Sequence, residues 1–171
     1  MDLVTVVLRL LHIVLGALWV GMMAFNVFFL GPALQDAGPA GGAVMAALQR
    51  RRLMTVMPAI ALVTILSGLW LMMRVWGGVG PLMDSTAGQT LALGATAAIV
   101  AFVLGVGILR PIMVRTTALA QGMGTARSDQ ERAERVTELE GLRARGTVLS
   151  RLIMALLLLA VATMAIAQYL V

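Results

Sequence analysis

The chain has 171 residues, of which 60% are hydrophobic and 12% charged, and its formal net charge is +5. A soluble domain is usually about 45–50% apolar and about 25% charged, and a folded domain of about 150 residues still exposes roughly a third of the surface of its extended chain. The composition therefore excludes an ordinary soluble enzyme, a disordered tail and a nucleic-acid reader, and it makes the lipid bilayer the solvent for most of the chain.

Residue inventory narrows the chemistry. With no Cys there is no disulfide, thiolate metal site or Cys nucleophile. All 13 basic residues are Arg, which removes Schiff-base and Lys-base chemistry. One His means that bis-His haem ligation within a single chain is excluded.

Four apolar runs follow in chain order, at about residues 4–30, 53–76, 89–114 and 148–171. Each meets the roughly 20 residues that a helix needs to cross the hydrocarbon core, and none alternates as a membrane strand would. The first run begins Met1-Asp2, has no basic segment before it, and reads as a retained span rather than a cleaved signal. The expected fold is all-α: a polytopic membrane protein, one domain over residues 1–171, built as a four-transmembrane-helix bundle.

Arginine placement predicts the orientation. Arg50, Arg51 and Arg52 lie between spans one and two, and Arg115, Arg127, Arg132, Arg135, Arg143 and Arg145 lie between spans three and four. Residues 77–88, between spans two and three, carry no Arg. The positive-inside rule puts the two Arg-rich connections in the cytoplasm and both termini on the periplasmic side of a bacterial inner membrane.

The connections have their own signals. Gly31-Pro32 through Gly41-Gly42 is expected to stop the first helix, with a short helix from Ala43 to Arg52 leading on. Ser128 with Glu131 reads as a capping box, and Glu131 can pair with Arg135 one turn later. A cytoplasmic helical arm at about 128–146 follows, expected to bend near Gly141 or Gly146. It reads either as a solvated hairpin arm or as a docking arm for a partner.

Polar residues inside spans are expensive in lipid and therefore informative. Thr5, His12, Trp19 and Asn26 recur every seven residues on span one, as do Arg9, Gly16 and Met23, so all share one seam. Span two places Thr64, Ser67 and Arg74 on one stripe, span three opens with Gln89 and Thr90, and span four ends at Gln168 and Tyr169. Ala97, Ala101 and Gly105 form a close-packing face. His12 lies roughly 12 Å inside the outer end at 1.5 Å per residue. The candidate binding site is thus the outer half of the bundle, at His12, Arg9, Gly16, Trp19, Arg74 and Gln89. His12 could be a neutral imidazole on a hydroxyl or carbonyl, a ligand to haem iron or another metal, or a proton carrier. Arg9 and Arg74 could equally snorkel to headgroups.

Two segments resemble a known family. His12-x-x-x-Gly16-x-x-Trp19-x-Gly21 is similar to the opening motif of CopD-like and HemJ-like bacterial membrane proteins, and Arg51-Arg52-Leu53-Met54, Met57-Pro58 and Ser67-Gly68-Leu69-Trp70 follow the family's order over about residues 8–75. The resemblance implies a multi-helix membrane bundle linked to copper handling or protoporphyrinogen oxidation, with His12 holding haem. The HemJ-like branch places a Lys near the start of span three, where this chain has Gln89-Thr90.

Three functions are consistent with these residues. The first is a non-catalytic subunit or scaffold, packed against other membrane subunits of an electron-transfer or photosynthetic complex or against its own copies. The second is a haem b protein or protoporphyrinogen-oxidase-like enzyme with His12 as axial ligand and Arg9 or Arg74 on the propionates. The third is copper or other metal transport.

Overall fold

The computed structural model describes residues 2–125 and 128–170, and among these there are helices and turns but no strand. Arg127 and the last residue of the fourth predicted span, Val171, lie outside the described residues. The α-helices are α1 (Leu3–Phe25), α2 (Gly31–Asp36), α3 (Pro39–Arg50), α4 (Leu53–Trp76), α5 (Val79–Met83), α6 (Thr86–Leu104), α7 (Arg110–Gln121) and α8 (Asp129–Ala167).

Four continuous rods result, at Leu3–Asp36, Leu53–Trp76, Thr86–Gly124 and Asp129–Ala167, with mean hydropathy between 2.1 and 2.4 in their most apolar stretches. Each is long and apolar enough to cross a membrane. Between 11% and 28% of those stretches is buried within the chain, so most of their apolar side chains face outward. A water-soluble bundle would turn that surface inward; an outward apolar surface of this extent suits a lipid surrounding.

The helix stop expected at Gly31-Pro32 does not occur. Proline lacks an N–H and its ring presses on the preceding turn. One π-helical segment, Asn26–Leu30, absorbs the conflict: Gly31 N–H donates to Asn26 O, five residues back, and Pro32 sits in the first turn of α2, where a missing donor is harmless. Gly105–Leu109 repeats the device ahead of Pro111, and the third rod runs on to Gly124, well past the predicted end of its span at Val114. The chain turns instead at Gly38, with φ +55°, and α3 starts at Pro39 rather than Ala43.

The third rod begins at Thr86, three residues before the predicted Gln89, because the Ser85 hydroxyl caps it by accepting the Gly88 N–H at 3.0 Å. The arm and the fourth span form a single 39-residue helix, α8, with no break at Gly141 or Gly146. Gly146 is buried, and a Cβ there would meet Ile112 of α7 at 3.5 Å. A helical glycine costs only about 1 kcal/mol against alanine, which packing readily offsets. The Ser128 half of the predicted box is present, with Ser128 Oγ accepting the Glu131 N–H at 3.1 Å, and Arg135 pairs with Glu131 at 2.6 Å as expected. The arm packs in part on the chain itself, since Leu139 is buried and Glu138 pairs with Arg115 of α7.

Two antiparallel helix pairs make the bundle. On α1 and α4, contacts run from Asp2–Arg74 through His12–Gly68 to Gly16–Thr64. On the third rod and α8 they run from Gly94–Thr163 through Gly105–Ile153 to Arg115–Glu138. Both termini therefore lie at one end of the bundle. Trp19, Met23, Ala61, Ala101, Ile153 and Leu157 join the pairs in one core. Ala97 and Ala101 are buried as expected, and the closest glycine contact between α6 and α8 is at Gly94, where a Cβ would lie 2.4 Å from Thr163 Oγ1.

Candidate functional site

His12 faces α4 because the seam of α1 turns toward that helix. Its Nδ1 lies 2.8 Å from Thr64 O. A carbonyl can only accept, so Nδ1 carries a proton, and in the neutral ring Nε2 presents a lone pair. Nε2 has no hydrogen-bond partner among the described residues and is not sealed from solvent or ligand. Thr64 and Ser67 are buried and turn their hydroxyls to their own helix, onto Ile60 O and Val63 O, which leaves the face beside His12 smooth.

Two glycines make room for the ring. A Cβ on Gly68 would come within 2.6 Å of His12 Cε1, so the imidazole lies directly on the α4 backbone. Gly16, one turn along α1, brings α1 close to Thr64, with 3.4 Å from a notional Cβ to Thr64 Cγ2.

Beside this pair is a cavity of about 610 Å³ between α1, α4, α6 and α8. That is within the range of about 300–1,000 Å³ typical of small-molecule sites. His12, Arg9, Gly16 and Trp19 all line it, four of the six candidates named from the sequence. Trp19 is 6% exposed and joins the cavity wall to the core. Arg9 makes no ion pair among the described residues.

The other two candidates are placed elsewhere. Arg74 is not on the cavity wall; it pairs with Asp2 at 2.9 Å, because the antiparallel register sets the last turn of α4 beside the cap of α1. Gln89 is exposed and donates from Nε2 to Met83 O at 3.0 Å, tying α6 to the short α5. Tyr169 is exposed, and Gln168 Nε2 bonds Ala165 O of its own helix, so neither joins the cavity. Asp2 is held below the usual carboxylate range, first by the Thr5 hydroxyl, then by the Thr5 N–H, with Arg74 contributing less.

Thr64, Gly68, Met72 and Met164 also line the cavity. Thr64 and Gly68 had a sequence signal, on the polar stripe and in the Ser67-Gly68 motif. Met72 and Met164 had none that separates a cavity Met from a core Met. Among the described residues, no three His, Asp or Glu side chains gather to hold a metal ion. The set can therefore offer one imidazole nitrogen, thioethers and a guanidinium to a mainly apolar ligand.

Comparison with protein-family models, with curated proteins and with solved structures gives no match for this chain.

Proposed function

We propose that this is a non-catalytic membrane subunit that binds a flat, mainly apolar ligand, haem b, in the His12 cavity. The observation carrying this reading is the contact of His12 Nδ1 with Thr64 O, which in the neutral ring leaves Nε2 as an acceptor beside a cavity of about 610 Å³. Metal-binding imidazoles commonly donate their other N–H to a carbonyl in this way. The residues present fit the group. His12 would hold the iron, a thioether of Met72 or Met164 on the same wall would be the available second donor, and Arg9 would meet a propionate. Bound there, haem would supply a one-electron centre in the membrane. The chain's own part is to hold the imidazole in one tautomer, exclude water with an apolar wall, and neutralise one carboxylate. A cavity with one His and no acidic side chain offers little for proton-coupled chemistry.

This reading takes the Arg-rich end of the bundle as cytoplasmic, the termini as periplasmic and the membrane as a bacterial inner membrane. Because the chain has no Cys, single-Cys variants at Asp2 and Gly124 give a clean accessibility test; labelling of Asp2→Cys from the cytoplasm would reverse the orientation.

The visible spectrum of the protein, purified from haem-replete cells and titrated with haemin, tests the ligand. The expected result is a Soret band that His12→Ala removes and Gln89→Ala retains. No band and no haemin uptake, or uptake indifferent to His12, overturns the haem reading. A purely structural subunit is favoured by one observation: the apolar stretch of the first span is the least buried of the four, at 11%, leaving room for a neighbouring helix. Co-purification of a colourless protein with a larger complex would select that alternative.

A further inference from the structure

A second cavity, of about 340 Å³, opens at the opposite, Arg-rich end of the bundle, between the first rod, α3, α7 and α8. Arg143, Thr147 and Arg151 recur every four residues on α8 and all line it. At 100° and 1.5 Å per residue the two guanidinium-bearing positions fall within an arc of roughly 80° and are about 12 Å apart along the axis. Neither Arg143 nor Arg151 makes an ion pair among the described residues.

The remaining polar wall also lacks partners. The Asn26 amide, at the start of the first π-helical segment, and the Ser150 hydroxyl make no side-chain hydrogen bond among the described residues, and neither is sealed in the interior. The threonine hydroxyls differ: Thr116, Thr117 and Thr147 donate to their own helices. Five donor groups without a side-chain partner among the described residues, on Arg143, Arg151, Asn26, Ser150 and Gln35, two of them cationic, thus line one hollow, against a single acidic side chain, Asp36. The rest of the wall is apolar, including Val27, Leu34, Ile112 and Met113.

We infer that this cavity binds a phosphate-bearing anion, with the phosphate between Arg143 and Arg151 and an apolar portion against Val27 and Ile112. Guanidinium forks match phosphate oxygens geometrically, and basic pockets between spans on the Arg-rich side suit anionic headgroups. Arg151 stands just before the charge-free run of α8 and Arg143 two turns outside it. That is the depth of the headgroup layer, so a phospholipid supplies the phosphate; a soluble phosphate ester has the same chemistry.

Binding of phosphatidylglycerol to the full chain in uncharged detergent, read by native mass spectrometry, tests this, with phosphatidylcholine and glycerol 3-phosphate in parallel. The expected result is retention of phosphatidylglycerol that R143Q/R151Q weakens by about 25-fold, at about five-fold per arginine. R145Q, an exposed change off the cavity wall, is expected to leave it unchanged. Asn26→Leu, which keeps both charges, is expected to weaken it a few-fold and guards against misfolding of the double variant. Glycerol 3-phosphate binding as well as the lipid, with the same arginine dependence, supports the site and makes its ligand soluble. Equal binding by wild type and R143Q/R151Q, or phosphatidylcholine held as tightly as phosphatidylglycerol, overturns it.

Discussion

The imidazole of His12 lies against the bare Cα of Gly68, on a helix antiparallel to its own. An added Cβ would come within 2.6 Å of Cε1 and 2.8 Å of Nδ1. The ring is the end of a side chain and can move, but only by giving up its bond to Thr64 O. Gly68→Ala is therefore expected to cut binding at the His12 cavity at least ten-fold. Stability should stay within about 1 kcal/mol, since alanine's helix propensity offsets the displaced contact. Haemin titration beside denaturant unfolding separates the two; unchanged affinity would remove the ring's position from the site.

Gly94 predicts the opposite balance. A Cβ there meets Thr163 Oγ1 at 2.4 Å and the Ala160 carbonyl at 3.2 Å, and a backbone cannot step aside as a side chain can. Gly94→Ala should destabilise the α6–α8 pair by about 1–3 kcal/mol, the usual range for overpacking. Adding Thr163→Ala should recover part of the loss. Unfolding in mixed micelles measures both, and a neutral Gly94→Ala would mean that the pair separates freely.

Asp2 sets a pH dependence. Its carboxyl is held below the ordinary value in the folded chain, so the stability it contributes is present above the unfolded pKa and is lost as pH falls through the folded one. The start of α1 should fray only at acid pH. Because the Thr5 hydroxyl acts more strongly than Arg74, Thr5→Val should raise the Asp2 midpoint more than Arg74→Gln. Carboxyl NMR titration gives the order directly; the reverse order would make the ion pair the dominant contact.

Ser128 caps α8 through the Glu131 N–H. Ser128→Ala should cost about 1 kcal/mol, locally. Hydrogen exchange should quicken in the first turns of α8 and not beyond Arg151. Uniform acceleration along the helix would show that α8 opens as a unit.

Sequence periodicity located the spans because lipid demands long apolar helices, and Leu53–Trp76 was legible to the residue. The helix ends at Asp36 and Gln121 were not. Pro32 and Pro111 normally mark stops, and whether one extra residue in a π-helical turn absorbs them depends on backbone geometry that composition does not record. That Arg9, His12, Gly16 and Trp19 share one cavity wall was legible because one seam carries them. Arg74 and Gln89 do not join that wall, because sequence spacing gives their level along the helices but not their azimuth: one turns to Asp2 and the other to Met83. Gly68 became meaningful only once the α1–α4 register set it under the imidazole.

The unbroken α8 has one more implication. At 1.5 Å per residue its 39 residues extend about 58 Å, nearly twice the roughly 30 Å hydrocarbon slab. Arg151 borders the hollow at one end and Leu157 the hollow at the other, six positions apart, or about 9 Å of axial rise. Both hollows hang from the same beam, which contains no proline hinge, so their spacing is a fixed dimension of the protein and any tilt of the beam reorients the two together.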